Sequence, residues 1–195
     1  MKIGIDIDEV ISEFVRPYLE YHNKKFKTHF VFENISKHLF WENLGLKQEE
    51  ILSFFRDFKT NHIKIKNLPF LPNAKRTIKI ISKDNSIFII TSRHQEIIDE
   101  TKQFLKKHFS KMNFTLIHSG DIYGKGKKSK ADICKEKGID ILIEDSLDFS
   151  LQCANKEIKV LLFDKPWNQS NKLSKNIIRV KSWKEILEKI NPHGI

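Results

Sequence analysis

Cysteine is nearly absent. Cys134 and Cys153 are the only two in 195 residues, too few for a disulfide framework and without the Cys-x-x-Cys spacing of a zinc or redox site. Both are expected to be small buried apolar residues. Glycine and proline number only 7 and 5, and nowhere do they gather into a low-complexity linker. Long apolar runs are missing too. No stretch reaches the about 20 consecutive apolar residues that a membrane-spanning helix needs. The opening MKIGIDIDEV lacks the charged, apolar and small-residue order of a secretion signal. A cytoplasmic protein with no membrane partner is expected. Arginine is scarce as well: 30 of the 35 basic residues are lysines, scattered along the chain. A sequence-specific nucleic-acid binder more often gathers arginine on one element, so no specific nucleic-acid partner is expected.

What is present is a globular composition. Hydrophobic residues make up 39% and charged residues 31%, enough for one core of ordinary size plus a modest insertion. The net charge of +10 favours an anionic ligand through its long-range field.

Apolar runs of strand length recur at 3–7, 87–91, 114–118, 139–143, 160–163 and 177–180. They are nearly continuous rather than alternating, as in strands covered on both faces. Helical patterns lie between them at 74–83, 95–108, 130–137 and 146–155, and a last one runs over 183–190. This alternation predicts an α/β fold with a doubly wound parallel sheet. One gap breaks the rhythm. A parallel crossover needs about a dozen residues, yet nearly eighty separate the first two strands. The excess carries helical patterns at 17–26, 35–44 and 48–58 and reads as a small inserted α-helical cap. The division is therefore a core of 1–13 and 75–195 and a cap of 14–74.

The chemistry begins where the first strand ends, in GIDIDEV. Strand residues two apart point to one side, so Asp6 and Asp8 would converge at the carboxyl edge of the sheet, where open α/β folds bind ligands. Two adjacent carboxylates need a cation, and a hard ion such as Mg²⁺ suits oxygen ligands. The alternative is a solvated turn in which Asp8 caps a helix. The second strand ends in IFIITSRH, which puts Thr91 and Ser92 at the same edge as phosphate-binding groups or as an ordinary helix cap. Lys130 opens a helix. The fourth strand, ILIEDS, is apolar until Glu144 and Asp145, which suggests a metal ligand unless Asp145 caps the next helix.

In order, these pieces are DxDxV, a threonine after an apolar strand, a lysine, and an acidic pair after another apolar strand. The series resembles the haloacid dehalogenase superfamily of phosphohydrolases. With the acidic pair and FDKPWN it is most similar to the 5'(3')-deoxyribonucleotidase family, through the whole core. The resemblance implies a Rossmann-like core with the first strand between the fourth and second, and a helical cap between the first two motifs. It implies a Mg²⁺-dependent phosphomonoesterase that acts on a small phosphorylated substrate, a nucleoside monophosphate, through an aspartyl-phosphate. Asp6 would be nucleophile and metal ligand. Asp8 would be general acid then base, and a ligand through its backbone carbonyl. Thr91, Ser92 and Lys130 would hold the phosphate, with Lys128 as rival in GKGKKSK. Asp145 would be the third metal ligand, and Glu144, where many relatives have Asp, would stand behind it.

The segment GDIYGKGKKS is not a nucleotide-binding phosphate loop, because its glycines are six apart and no Ser or Thr follows Lys127. It reads as a basic loop near the phosphate or in solvent. His22, His29, His38 and His62 share no metal spacing and read as packing or surface residues. Phe40 with Trp41, and Phe54 with Phe55, either pack the cap or line its pocket, where a base could stack. Two other functions compete: a phosphatase of sugar or cofactor phosphates on the same fold, and a non-catalytic basic nucleic-acid-binding protein.

Overall fold

The apolar strand runs pair as buried strands should. In the computed structural model, which describes residues 1–120 and 128–191, six strands form one sheet: β1 (Lys2–Ile5), β2 (Ser86–Thr91), β3 (Phe114–His118), β4 (Ile141–Glu144), β5 (Lys159–Phe163) and β6 (Ile177–Val180). Every pairing is parallel, and the order is β3-β2-β1-β4-β5-β6. The expected doubly wound sheet is therefore present, with β1 between β4 and β2. The two central registers, Ile5 against Ile89 and Ile5 against Ile143, bring the ends of β1, β2 and β4 level at one edge.

Helices cover both faces. On one side lie α5 (Lys130–Lys137) and α6 (Leu147–Ala154), burying Ala131, Ile133, Cys134, Cys153 and Ala154 with Leu142 and Leu162. Both cysteines are buried and free, as expected. On the other side lie α3 (Ala74–Ile81), α4 (Ile98–Phe109) and α7 (Trp183–Ile190), packing Ile78, Phe104 and Trp183 onto Ile3 and Ile5. Gly4 is needed where β1 passes under the first group. A Cβ there would meet Leu142 Cδ1 at 3.0 Å, Ile90 Cδ1 at 3.2 Å and Ile139 Cγ2 at 3.3 Å, so a larger residue would force these side chains apart.

The segment between β1 and β2 carries α1 (Val15–Phe26) and α2 (Gln48–Asn61). Their aromatic faces meet: the Tyr18 ring lies 4.7 Å from Phe40, 4.8 Å from Phe54 and 5.2 Å from Phe58. Phe54 is thus a packing residue and Phe40 packs here while also lining a pocket over the carboxyl edge of the sheet, and this cluster is continuous with the Ile3–Ile5 face of the sheet. The helix expected over 35–44 does not form. Single 3₁₀ turns stand at Phe32–Asn34 and Phe40–Glu42. The Asn43 side chain accepts from Ser36 N and Oγ and donates to the carbonyls of Lys37 and Phe40, so it satisfies backbone groups that a helix would have used itself.

Two boundaries also moved. β1 stops at Ile5 because the Ile7 carbonyl accepts from Val10, Ile11 and Ser12 at 3.4, 2.8 and 3.0 Å, which curls the chain into a turn. β4 starts at Ile141 because Gly138, at φ 64°, ends α5 and the Ile139 N–H still bonds Cys134 O at 2.9 Å, a helix exit rather than a strand. Of the basic loop, residues 121–127 lie outside the described residues. Among the described residues no helix is long and apolar enough to cross a membrane.

Candidate active site

Four residues from three elements meet at the carboxyl edge. Asp6 follows β1, and its N–H bonds Ile143 O at 3.0 Å. Glu144 ends β4 and Asp145 follows it. Lys130 is the first residue of α5, held there by the Ser129 hydroxyl, which accepts from Asp132 N at 3.1 Å. The Lys130 ammonium bonds Asp6 Oδ1 at 2.8 Å and Glu144 Oε2 at 2.7 Å, and sits 4.9 Å from the Phe149 ring centre. All four residues are buried. Oxygens of Asp6, Glu144 and Asp145 lie within 4.8 Å of one another.

The alternative roles of these acids are filled by neighbours. Helix α6 is capped by Ser146, whose Oγ accepts from Phe149 N at 3.4 Å, not by Asp145. Helix α1 is served by Glu9, whose Oε1 accepts from Phe14 N and Val15 N at 2.8 Å each, not by Asp8. The turn after β2 is capped by His94, whose Nδ1 accepts from Glu96 N at 3.3 Å, not by Thr91 or Ser92.

Three buried carboxylates against one ammonium leave negative charge in a dry place. Burial, with Glu144 and Asp8 adding and Lys130 opposing, pushes Asp6 up from 3.8 to about 7. Burial and then Glu144 and Asp6 raise Asp145 well above the usual carboxylate range. Glu144 is different. Burial works against its charge, but Lys130 and the Ser146 N–H overcome it and hold its pKa low. Its Oε1 accepts from both Asp145 N and Ser146 N at 3.1 Å. Lys130 pays for burial too, yet Asp6 and Glu144 together raise its pKa. Glu144 and Lys130 are thus a satisfied pair, while Asp6 and Asp145 are short of positive charge. That donor set, hard oxygens with uncompensated charge, fits a divalent cation.

The two aspartates of the DxD do not point as strand neighbours would, because the strand has ended. Asp6 faces Lys130, whereas the Asp8 carboxylate takes two bonds from Arg93, Nε at 2.9 Å and Nη2 at 2.6 Å. Thr91 is fully buried, and its Oγ1 accepts from Arg93 N at 3.2 Å. Ser92 Oγ meets Ser119 Oγ at 2.7 Å. Lys128 is exposed and paired with Glu136, away from this group.

A pocket opens above the acids. Asp6, Asp8, Thr91, Ser92, Lys130 and Asp145 form its floor, and Phe14, Phe40, Trp41, Phe55, Phe149 and Trp167 its walls. Four contributors were not assigned from sequence. Trp167 donates from Nε1 to Asp145 Oδ2 at 3.0 Å, and Asn168 Nδ2 donates to Asp145 O at 2.7 Å. Both lie in FDKPWN, so the motif was visible without its role. His38 reaches down from the α1–α2 connection to 3.9 Å from Asp145 Oδ2, which no spacing announced. Arg93 had a signal: a rare arginine two residues beyond Thr91.

Comparisons with known proteins bear on the family and the fold. The model of the 5' nucleotidase, deoxy (pyrimidine), cytosolic type C family matches residues 1–192. The chain belongs to this family. A nucleotidase from Clostridium acetobutylicum is 26% identical over 186 residues, covering 95% of this chain and 91% of that one. Among solved structures, a HAD family hydrolase from Deinococcus radiodurans with bound phosphate and sodium superposes with TM-score 0.65 at 13% identity, over 98% of this chain and 95% of that one. Bacillus subtilis YfnB, bound to magnesium, superposes with TM-score 0.59 at 11% identity, over 97% and 98%. The fold is the haloacid dehalogenase fold. As a member of this nucleotidase family the protein is a phosphoric monoester hydrolase, and its substrate is a small phosphorylated nucleotide. The non-catalytic nucleic-acid-binding alternative falls away.

Proposed function

We propose that the protein is a Mg²⁺-dependent 5'-nucleotidase that hydrolyses nucleoside monophosphates, deoxyribonucleotides among them, through an aspartyl-phosphate on Asp6. The observation that carries this is the buried Asp6–Lys130–Glu144–Asp145 cluster at the carboxyl edge of β1 and β4, beneath an aromatic-walled pocket. Asp6, Asp145 and the Asp8 backbone carbonyl would hold Mg²⁺, which when bound supplies positive charge beside the phosphoryl oxygens. Glu144 stands behind them, orienting Lys130 and the Asp145 amide.

Asp6 attacks phosphorus and the ester bond breaks, leaving an acyl phosphate on Asp6. Asp8 gives its proton to the departing alcohol oxygen, then takes a proton from the water that attacks the acyl phosphate and regenerates Asp6. Lys130 neutralises the phosphoryl group during transfer, while Thr91 and Ser92 orient its oxygens. Lys128, exposed and paired elsewhere, is not assigned this role. Residues 14–74 act as the cap that selects substrate over a core of 1–13 and 75–195, and Trp41 is the wall residue offered to the base.

The test is a panel of phosphate esters with and without Mg²⁺. Highest kcat/KM on nucleoside 5'-monophosphates, dependence on Mg²⁺, and acid-stable label on wild type but not on Asp6→Asn support the proposal. Preference for sugar phosphates would overturn the nucleotidase part and leave the phosphatase part standing.

A further inference from the structure

Arg93 has no part in the chemistry above, yet it is tightly built into the site. Its side chain is only 2% exposed. Nε and Nη2 bond the two Asp8 oxygens, Nη1 bonds Thr101 Oγ1 at 3.2 Å, and Nη2 also reaches Ser12 Oγ at 3.4 Å. Thr101 is in turn fixed by its own bond to Ile97 O at 2.7 Å. The guanidinium, carried just beyond β2, is therefore clamped from α4 and from the turn after β1. Asp8 is the looser partner, its side chain 31% exposed on the pocket floor.

A planar fork bound to both oxygens of a carboxylate fixes its plane as well as its place, which a lysine ammonium cannot do. Direct phosphate binding fits this residue less well. Of the five N–H donors of an arginine, four are engaged by Asp8, Thr101 and Ser12, and Lys130 already stands at the phosphoryl position.

Resting on the reading of Asp8 as general acid and base, we infer that Arg93 is a positioning residue for this reaction: its guanidinium sets the reach and plane of the Asp8 carboxylate toward the leaving oxygen. It touches neither phosphorus nor the base. Its loss leaves Asp8 chemically whole but misplaced, and a misplacement near 1 Å costs about 10²-fold in rate.

The leaving group separates this role from others. An alkoxide must receive the Asp8 proton as its P–O bond breaks, whereas p-nitrophenolate departs as the anion. Rapid-quench first turnovers of Arg93→Lys and Arg93→Met are compared with wild type and Asp8→Asn, on a nucleoside 5'-monophosphate and on p-nitrophenyl phosphate. Nucleoside release should slow roughly 10- to 100-fold in both Arg93 variants with KM little changed, while the first turnover of p-nitrophenol stays near wild type. Equal slowing on both esters, a raised KM on both, or full activity in Arg93→Lys would overturn the inference. If the Arg93 variants do not fold, Thr101→Val, which removes one clamp, should show the same split at smaller size, and an unchanged ratio of the two rates would be equally fatal. An Asp8→Asn enzyme as fast as wild type defeats the acid–base reading itself. An inactive Asp8→Asn beside normal Arg93 variants defeats only the positioning role.

Discussion

Asp6→Asn should abolish turnover and yet stabilise the metal-free protein, by an amount that depends on pH. Buried among Glu144, Asp8 and Asp145, the Asp6 carboxyl has its pKa moved from 3.8 to about 7. For an acid raised on folding the sign runs one way. Below the unfolded pKa the group is protonated in both states and the fold loses nothing. As pH climbs from about 4 to about 7, the unfolded chain ionises freely and the folded one resists, so stability falls with pH and levels off above about 7. At 1.36 kcal/mol per pH unit, the full penalty is about 4 kcal/mol at pH 8 and about 1.5 kcal/mol at pH 5.

Asparagine keeps the shape and, through its Oδ1, the bond from the Lys130 ammonium that Asp6 accepts at 2.8 Å, but it carries no charge at any pH. Its advantage over wild type should grow by about 2.5 kcal/mol between pH 5 and pH 8. For a chain of this size that is a difference in Tm of about 5 to 10 °C. The assay is thermal or urea unfolding of both proteins in EDTA across pH 4 to 8, repeated with Mg²⁺. Added Mg²⁺ should close the gap by stabilising wild type alone. A variant less stable than wild type at pH 8, or a gap that does not change with pH, would refute the view that Asp6 is an uncompensated buried acid.

Lys130→Met should cost about 3 to 5 kcal/mol in urea unfolding, because it strands Asp6 and Glu144 without their counter-charge, and should abolish activity; Lys128→Ala should move neither the midpoint nor the rate. Trp167→Phe removes the donor at 3.0 Å from Asp145 Oδ2 and should weaken Mg²⁺ affinity about 10-fold or more, read from Mg²⁺-dependent thermal shifts as well as from activity. Trp41→Ala removes a pocket wall and should raise KM for a nucleoside monophosphate by the ~1 to 3 kcal/mol of a base stack while p-nitrophenyl phosphate hydrolysis barely changes; parallel losses on both esters would make Trp41 a packing residue.

The parts of this molecule that were legible in the sequence are those where one local rule governs each residue. Continuous apolar runs of strand length suit strands covered on both faces, so β1 to β6 were found where the runs stand, with Asp6, Thr91, Glu144 and Asp145 at strand ends and Lys130 opening a helix. The misreadings arise where side chains compete with the backbone or where the decisive contact is long-range. Asn43 breaks a helical pattern by bonding Ser36 and Lys37, and the Ile7 carbonyl ends β1 two residues early and so sends Asp8 toward Arg93 rather than alongside Asp6. No periodicity encodes a bond such as Trp167 to Asp145, 22 residues apart, or Arg93 to Asp8, 85 apart. Such bonds decide which carboxylate is left short of charge. Glu144 and Asp145 are adjacent and both buried, yet Lys130 and the Ser146 N–H hold the Glu144 pKa low, while Asp145, with Trp167 and the distant His38 at its Oδ2 among the described residues, stays raised. The sequence offers an acidic pair; the fold makes one member a support and leaves the other in need of a cation.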